Sequence, residues 1–148
     1  MQTLWMVEVS ILLLCAGLGQ GGGLAYAAEE VLFGPRQYTR TSGPPNQFME
    51  TMALPLTLTA PFRVHVQNGH PDGTQRVSSA KLWVNGTEVT GPTDFSQQVA
   101  AFDRPVTLQA SNTLQLRLTS TPGSFLVLTL SGTVPPPTLA LLAPQPCR

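Results

Sequence analysis

Charged residues and cysteines are both scarce in this sequence of 148 residues. Only 11% of the residues are charged, and eight basic residues balance eight acidic ones, so the formal net charge is zero. A nucleic-acid-binding surface needs clustered basic residues, and this composition argues against one. The length suits one domain and is too short for two of ordinary size.

The two cysteines are Cys15, in an apolar N-terminal stretch, and Cys147, next to the C-terminus. Removal of the N-terminal stretch would leave Cys147 without an intramolecular partner, which excludes a disulfide framework and a cysteine metal cluster. The favoured interpretation of Cys147 is an inert thiol at a frayed chain end, and pairing between two chains is the alternative.

Catalytic motifs are also missing from the sequence. The histidines are His65 and His70, and neither an H-E-x-x-H zinc motif nor a G-x-S-x-G nucleophile elbow occurs. Ser78 and Ser79 have no base near them in the sequence. We therefore expect a protein that is not an enzyme, because the sequence offers no recognisable set of nucleophile, base and orienting group.

The first 27 residues have features of an export signal peptide. Residues 9–18 are mainly apolar but too few to span a bilayer, and residues 25–27 form an A-x-A cleavage sequence. The segment departs from the usual pattern, because it contains Glu8 and has no Lys or Arg before the apolar run. We predict cleavage after Ala27, a secreted, periplasmic or cell-surface location, and no membrane span in the mature chain.

The clearest structural signal lies in residues 76–89, RVSSAKLWVNGTEV. Apolar residues alternate from Ala80 to Val84, and Asn85-Gly86 follows. Both central residues of a type I′ turn need positive φ, and Asn-Gly supplies it at low steric cost. This stretch predicts a β-hairpin on which the rest of the domain is built.

Alternating or β-rich segments recur along the mature region and predict about eight strands. This spacing favours an all-β, antiparallel β-sandwich of jelly-roll type at residues 28–133, with an immunoglobulin-like sandwich as the alternative. The near-continuous apolar run at 125–131 predicts a strand that is covered on both faces or one at the centre of a sheet. Residues 95–101 are ambiguous between a strand and a short helical turn, and residues 134–148 form a proline-rich tail. Besides the hairpin, the predicted strands are residues 31–33, 37–40, 47–54, 62–67, 105–108, 113–119 and 125–131.

Most of the mature chain resembles a module of bacterial secreted and surface proteins. The segments that carry this resemblance are residues 33–40 (FGPRQYTR), 64–69 (VHVQNG), 76–99 (RVSSAKLWVNGTEVTGPTDFSQQV) and 104–132 (RPVTLQASNTLQLRLTSTPGSFLVLTLSG). Such modules are similar to galactose-binding-like jelly rolls, and they often sit beside other extracellular modules. The resemblance implies an extracellular location and brings no catalytic residues with it.

The proline-rich tail carries a second resemblance. Residues 135–146, PPPTLALLAPQP, resemble the opening strand of a bacterial IPT/TIG immunoglobulin-like domain. This resemblance implies a shortened relative of a longer multimodular protein, and the downstream DNA would show whether such a domain continues.

Trp83 stands out in the hairpin because it has the opposite parity to its apolar neighbours. One hypothesis is a surface platform that stacks on a sugar ring. The favoured interpretation is a packed tryptophan in a strand covered on both faces, because large aromatics bury most of their area. Tyr38 is a second candidate platform. The further ligand-binding residues that would flank Trp83 are Arg63, His65, Lys81 and Arg117.

The loop at residues 68–75 (NGHPDGTQ) is a candidate calcium site. Asn68 and Asp72 would supply oxygen ligands, which hard cations prefer, and galactose-binding-like jelly rolls often hold a structural calcium. Ser79 stands where an EF-hand needs a bidentate Glu, so this loop is not an EF-hand. The favoured interpretation is a polar turn stabilised by its own Asn and Asp side chains.

Together these features lead to the hypothesis of an exported, non-catalytic binding module. The expected ligand is a carbohydrate or a polymer of the cell surface. The alternative is a structural or adhesive module whose sheet edges pack against neighbouring protein modules or subunits.

Overall fold

The computed structural model describes residues 27–135 as eight β-strands and one 3₁₀ turn at Pro92–Asp94. The predicted signal peptide, apart from Ala27, and the predicted tail beyond Pro135 lie outside the described residues, as do both cysteines. The strands are β1 (Ala28–Thr39), β2 (Asn46–Ala53), β3 (Thr59–Asn68), β4 (Ala80–Val84), β5 (Thr87–Thr90), β6 (Ala101–Val106), β7 (Ser111–Leu118) and β8 (Phe125–Val134).

The strands form two antiparallel four-stranded sheets that pack together, with the orders β1-β8-β3-β6 and β2-β7-β4-β5. The pairings are nested along the chain, because β4 pairs with β5, β3 with β6, β2 with β7 and β1 with β8. A long hairpin rolled up in this way is a jelly roll. The predicted eight-stranded β-sandwich is confirmed, and the strand order is not that of an immunoglobulin-like sandwich.

The predicted β4–β5 hairpin is the innermost pair of this nested set. Asn85 has φ 51° and Gly86 has φ 79°, as a type I′ turn requires. The Asn85 side chain also fixes the turn to the neighbouring strand, since Oδ1 accepts the Thr113 N–H at 3.0 Å and Nδ2 donates to Asn112 Oδ1 at 2.8 Å. The hairpin prediction is therefore confirmed.

The core lies between the sheets and is filled by the inward half of each strand. In β7, for example, Leu114, Leu116 and Leu118 are buried, whereas Arg117 between them is exposed. This alternation assigns the intervening side chains to the two outer faces of the sandwich. The other fully buried aliphatic residues of the core are Val64, Val66, Val77, Ala80, Leu82, Leu126, Leu128 and Leu130.

Strands β1 and β8, the first and last strands of the domain, pair with each other. The sequence predicts β8 better than β1. Strand β8 lies between β1 and β3, so its predicted central position is confirmed. Strand β1 is one strand rather than the two predicted segments, and its register shifts around Gly34. Gly34 has φ 84°, and a Cβ there would overlap the Leu128 carbonyl oxygen, so this position in β1 requires glycine.

The strand predicted at residues 105–108 is placed too late in the sequence. Strand β6 begins at Ala101 and ends at Val106, and it contains Pro105. It lies at a sheet edge, where a missing N–H costs no ladder hydrogen bond, so proline does not end the strand there. The ambiguous residues before Ala101 form no regular strand, although Phe95 is buried and packs edge-on against Phe102.

Candidate functional site

The outer face of the β2-β7-β4-β5 sheet gathers several side chains that alternate with core residues. We call it the tryptophan face and define it by Gln47, Met49, Lys81, Trp83, Glu88, Gln115 and Arg117. Cross-strand pairing arranges these residues in two rows. Met49, Gln115, Trp83 and Glu88 form one row, and Gln47, Arg117 and Lys81 form the other.

A shallow depression of about 310 Å³ lies on this face. It combines the indole ring of Trp83 with two amide side chains, one guanidinium group and the thioether of Met49, which is 66% exposed. An aromatic surface with a few polar groups around it is typical of small-ligand sites. Its lining residues are Gln47, Phe48, Met49, Trp83, Gln115, Leu116 and Arg117.

Trp83 is half-buried and takes no part in the core between the sheets. Lys81 Nζ lies 5.9 Å from the centre of a Trp83 ring, within the range of a cation–π contact. The same ammonium group forms an ion pair with Glu88 Oε2 at 3.2 Å. Trp83 buries most of its surface, as the favoured prediction of a packed tryptophan expects. The part of that prediction in which both faces of the strand are covered is wrong, because no described element forms a second layer over the outer face of β4.

Arg117 lies at the centre of the tryptophan face, on the strand between β2 and β4. Its side chain is exposed, and it forms no ion pair with any residue in the described range 27–135. Lys81 is its direct cross-strand neighbour. Like charges directly opposite each other destabilise a sheet, so this placement has a small folding cost.

Arg63 and His65 lie on the outer face of the other sheet, because Phe62, Val64 and Val66 fill the inward positions of β3. The prediction that they flank Trp83 is therefore wrong. The sequence shows the outward parity of β3, but it does not show which sheet each strand joins.

The charges on this second face are paired with one another. Arg63 Nε lies 3.8 Å from Glu29 Oε1, and His65 Nδ1 lies 2.9 Å from Asp103 Oδ1. We call this surface the paired-charge face and define it by Glu29, Arg63, His65, Asp103, Thr129 and Ser131.

Asn68, a candidate calcium ligand, is completely buried and bonded to backbone groups. Its Nδ2 donates to the carbonyl oxygens of Val77, Ser96 and Val99 at 2.9, 3.3 and 3.1 Å. Its Oδ1 accepts the Val77 N–H at 2.7 Å. These bonds tie the end of β3 to two loops, which gives Asn68 a structural role.

Asp72, the other candidate ligand, is exposed and closes its own turn. Its Oδ1 accepts hydrogen bonds from the Thr74 N–H at 2.8 Å and the Thr74 hydroxyl at 2.7 Å. These hydrogen bonds hold the pKa of Asp72 below its usual value. They match the favoured prediction of a self-stabilised polar turn. Across residues 27–135, no three His, Cys, Asp or Glu side chains are grouped to hold a metal ion, and calcium binding stays a prediction.

Tyr38, the second candidate platform, is 2% exposed and belongs to the core, so that prediction is wrong. Its hydroxyl lies 3.3 Å from Glu50 Oε1, and Glu50 Oε2 accepts a hydrogen bond from Arg36 at 3.0 Å. Burial and the Glu50 charge raise the pKa of Tyr38 to about 12. Tyr38 thus joins the two sheets where β1 lies beside β2.

Sequence reasoning missed the neighbours that pairing brings to Trp83. Gln115 and Met49 lie in its row although they are 32 and 34 positions away in the chain, as the cross-strand register shows. The alternation within each segment indicates outward parity, but the register between distant strands is not written in any local pattern.

No protein-family model matches this chain, and the comparisons found neither a curated protein nor a solved structure that is similar to it. The described part of the chain contains no helix long and apolar enough to cross a membrane. The tryptophan face is therefore the feature of the described structure that bears on function.

Proposed function

We propose that this protein is an exported, non-catalytic module that binds carbohydrate, or a carbohydrate polymer of a cell surface, on its tryptophan face. The observation that carries this proposal is the half-buried Trp83 in an open depression beside Gln115 and Arg117. An indole ring offers a flat apolar surface to the C–H face of a sugar ring, and the polar groups around it serve the hydroxyl groups.

The position of these groups on adjacent strands supports the proposal. Trp83 and Gln115 are direct cross-strand partners, and β7 is paired on both sides. Side chains on paired strands are held more firmly than side chains on loops, so little ordering is needed when a ligand binds. An open depression on a sheet face also suits an extended polymer, which can continue past both ends of the depression.

Glycan-array binding followed by titration calorimetry tests the proposal. We expect Trp83→Ala to lose at least about tenfold in affinity, because truncation of a central aromatic hot spot typically costs about 2 kcal/mol or more. Trp83→Phe should retain part of the binding, because it keeps a flat ring. Circular dichroism and thermal melting of each variant serve as controls for folding. Unchanged binding by Trp83→Ala, or no glycan bound by the wild type, would contradict the proposal.

A second candidate function is that of a structural or adhesive module, and strand β2 favours it. Strand β2 is a sheet edge of eight residues that pairs with β7 without any register shift. Its one charged residue, Glu50, faces inward and binds Arg36. The other edges are interrupted or short, since β1 contains Pro35 and register shifts, β6 contains Pro105, and β5 has four residues. A long and regular edge with no charged side chain on its outer face is a template for pairing with another strand.

The partner that fits this edge is a second copy of the chain, paired antiparallel through β2. In such a pair centred on Met49, the outward side chains Gln47 and Thr51 would lie opposite each other, and no charges would clash. Light scattering over a range of concentrations tests this idea. Thr51→Lys should abolish self-association and leave glycan binding intact, since Thr51 lies outside the depression. A wild type that stays monomeric at high concentration would count against the adhesive function.

A further inference from the structure

We infer that the glycan bound on the tryptophan face is acidic, and that Arg117 binds its carboxylate groups. This inference rests on the proposed carbohydrate-binding function. It names the chemical class of the ligand from the distribution of charge on that face.

The charges on the tryptophan face are not balanced. Lys81 and Arg117 are direct cross-strand neighbours, and the one carboxylate on the face is Glu88. Glu88 binds Lys81 at 3.2 Å and is separated from Arg117 by the whole of strand β4. Arg117 therefore keeps an uncompensated charge among the residues that the structure describes. A ligand carboxylate near Arg117 would remove the repulsion between the two cations.

Arg117 also lies close to Trp83 on the sheet. Arg117 lies two residues from Gln115 on the same face of β7, so it is a diagonal neighbour of Trp83. Diagonal neighbours on a sheet are about 7–8 Å apart, within reach of long side chains. A sugar ring stacked on Trp83 can thus place a carboxylate at the guanidinium group, which matches carboxylate geometry with two parallel hydrogen bonds.

The paired-charge face supplies a contrast within the same molecule. Its basic side chains, Arg63 and His65, each have an acidic neighbour, Glu29 and Asp103 respectively. Arg117 on the tryptophan face has no such neighbour within residues 27–135. The free guanidinium group therefore coincides with the depression that holds Trp83.

The test compares three acidic polymers, polygalacturonate, alginate and hyaluronan, with their carboxyl-reduced counterparts. For at least one pair we expect the wild-type chain to bind the acidic form about tenfold or more tightly, as a hydrogen-bonded charge allows. Arg117→Gln should lose this preference while it still binds the reduced form. Arg63→Gln, a matched substitution on the opposite face, should retain the preference. Added salt should weaken binding to the acidic form alone.

Each other outcome overturns the inference in a distinguishable way. Equal binding of the acidic and reduced forms, with both lost in Trp83→Ala, would refute the acidic ligand and leave the proposed function intact. A preference that survives in Arg117→Gln but disappears in Arg63→Gln would move the site to the other face. Binding of none of the six polymers would refute both this inference and the proposed function for these classes of polymer.

Discussion

The two outer faces of the sandwich are built from the same kind of antiparallel sheet, but they treat their charges differently. On the paired-charge face, Arg63 and His65 each lie beside a carboxylate. On the tryptophan face, Lys81 has a carboxylate partner, but Arg117 has none among the described residues. The paired charges are typical of an ordinary solvated surface. The guanidinium group of Arg117, which is unpaired among the described residues, and the nearby Trp83 ring are both available for contacts with a ligand.

This difference shows that an outward-facing charge does not indicate a ligand site until its ion-pair partners are known. The four basic residues predicted to flank Trp83, which are Arg63, His65, Lys81 and Arg117, carry the same signal in the sequence, because each occupies the outward parity of an alternating strand. The topology separates them into two pairs on opposite faces, and the cross-strand register then gives three of them an acidic neighbour. Substitutions on the two faces and in the core between them test this difference.

The largest change in the free energy of unfolding should come from a core residue of β7, next to a residue of the tryptophan face. Leu116→Ala should lower the free energy of unfolding by about 2–5 kcal/mol, because Leu116 is 1% exposed and its truncation leaves a cavity. Arg117→Ala, the next residue along, should change it by less than about 0.5 kcal/mol. Chemical denaturation of the two variants measures both values. Similar losses in the two would mean that Arg117 contributes to folding rather than to a ligand site.

The second effect concerns Asn68, at the end of β3 in the sheet that carries the paired-charge face. Asn68→Ala should cost about 3 kcal/mol of stability, because it leaves the buried Val77 N–H and three carbonyl groups without their partner. Asp72→Ala should cost less, since Asp72 closes an exposed turn. Denaturant unfolding measures the two losses, and both should be the same with calcium as with a chelator.

Calcium binding by this loop would give a different result, which thermal melting would detect. If a chelator lowers the melting temperature of the wild type, and both Asn68→Ala and Asp72→Ala abolish that difference, the loop binds calcium as its spacing suggested. The structural role of Asn68 would then be only part of its contribution.

The third effect is a loss of stability at alkaline pH through Tyr38, which joins the two sheets. The pKa of Tyr38 is raised from 10.0 to about 12, first by burial and then by the Glu50 charge. A raised pKa means that the neutral phenol is favoured in the folded state. Its stabilisation is therefore complete below pH 10 and is lost as the pH rises towards 12. The loss should be on the order of 2 kcal/mol.

Tyr38→Phe provides the control for this prediction. The variant should lack most of the alkaline loss while its stability at neutral pH falls slightly, because the hydrogen bond to Glu50 at 3.3 Å is removed. In a chain that begins at Ala28, Tyr38 is the one remaining tyrosine, so tyrosinate absorbance reports on it directly. Ionisation near pH 10 would show that Tyr38 is more accessible than its position in the core implies.

The fold could be predicted because its signals are local. The Asn85-Gly86 turn requires positive φ, and the alternation at residues 113–119 has a period that helices do not share. The prediction failed where two local rules compete. Pro105 reads as a strand boundary in isolation, but it is tolerated in β6 because β6 lies at an edge.

The candidate site could be predicted only in part. Trp83, Lys81 and Arg117 share one face, as the hypothesis required, because the β4–β7 register sets them side by side. Arg63 and His65 had the same parity signal but belong to the other sheet. The assignment of strands to sheets depends on long-range pairing and on the whole roll, which no single segment encodes.

The smallest effect is expected on the paired-charge face. Arg63→Ala and His65→Ala should each change the free energy of unfolding by less than about 0.5 kcal/mol, because Arg63 and His65 form exposed ion pairs that contribute little. Neither variant should alter glycan affinity, whereas Arg117→Ala should weaken binding to an acidic glycan. Calorimetric titration of one polymer into each of the three variants, at equal protein concentration, compares their affinities. A loss of binding in Arg63→Ala equal to that in Arg117→Ala would mean that the pairing of surface charges does not distinguish the two faces, and that a ligand binds to both.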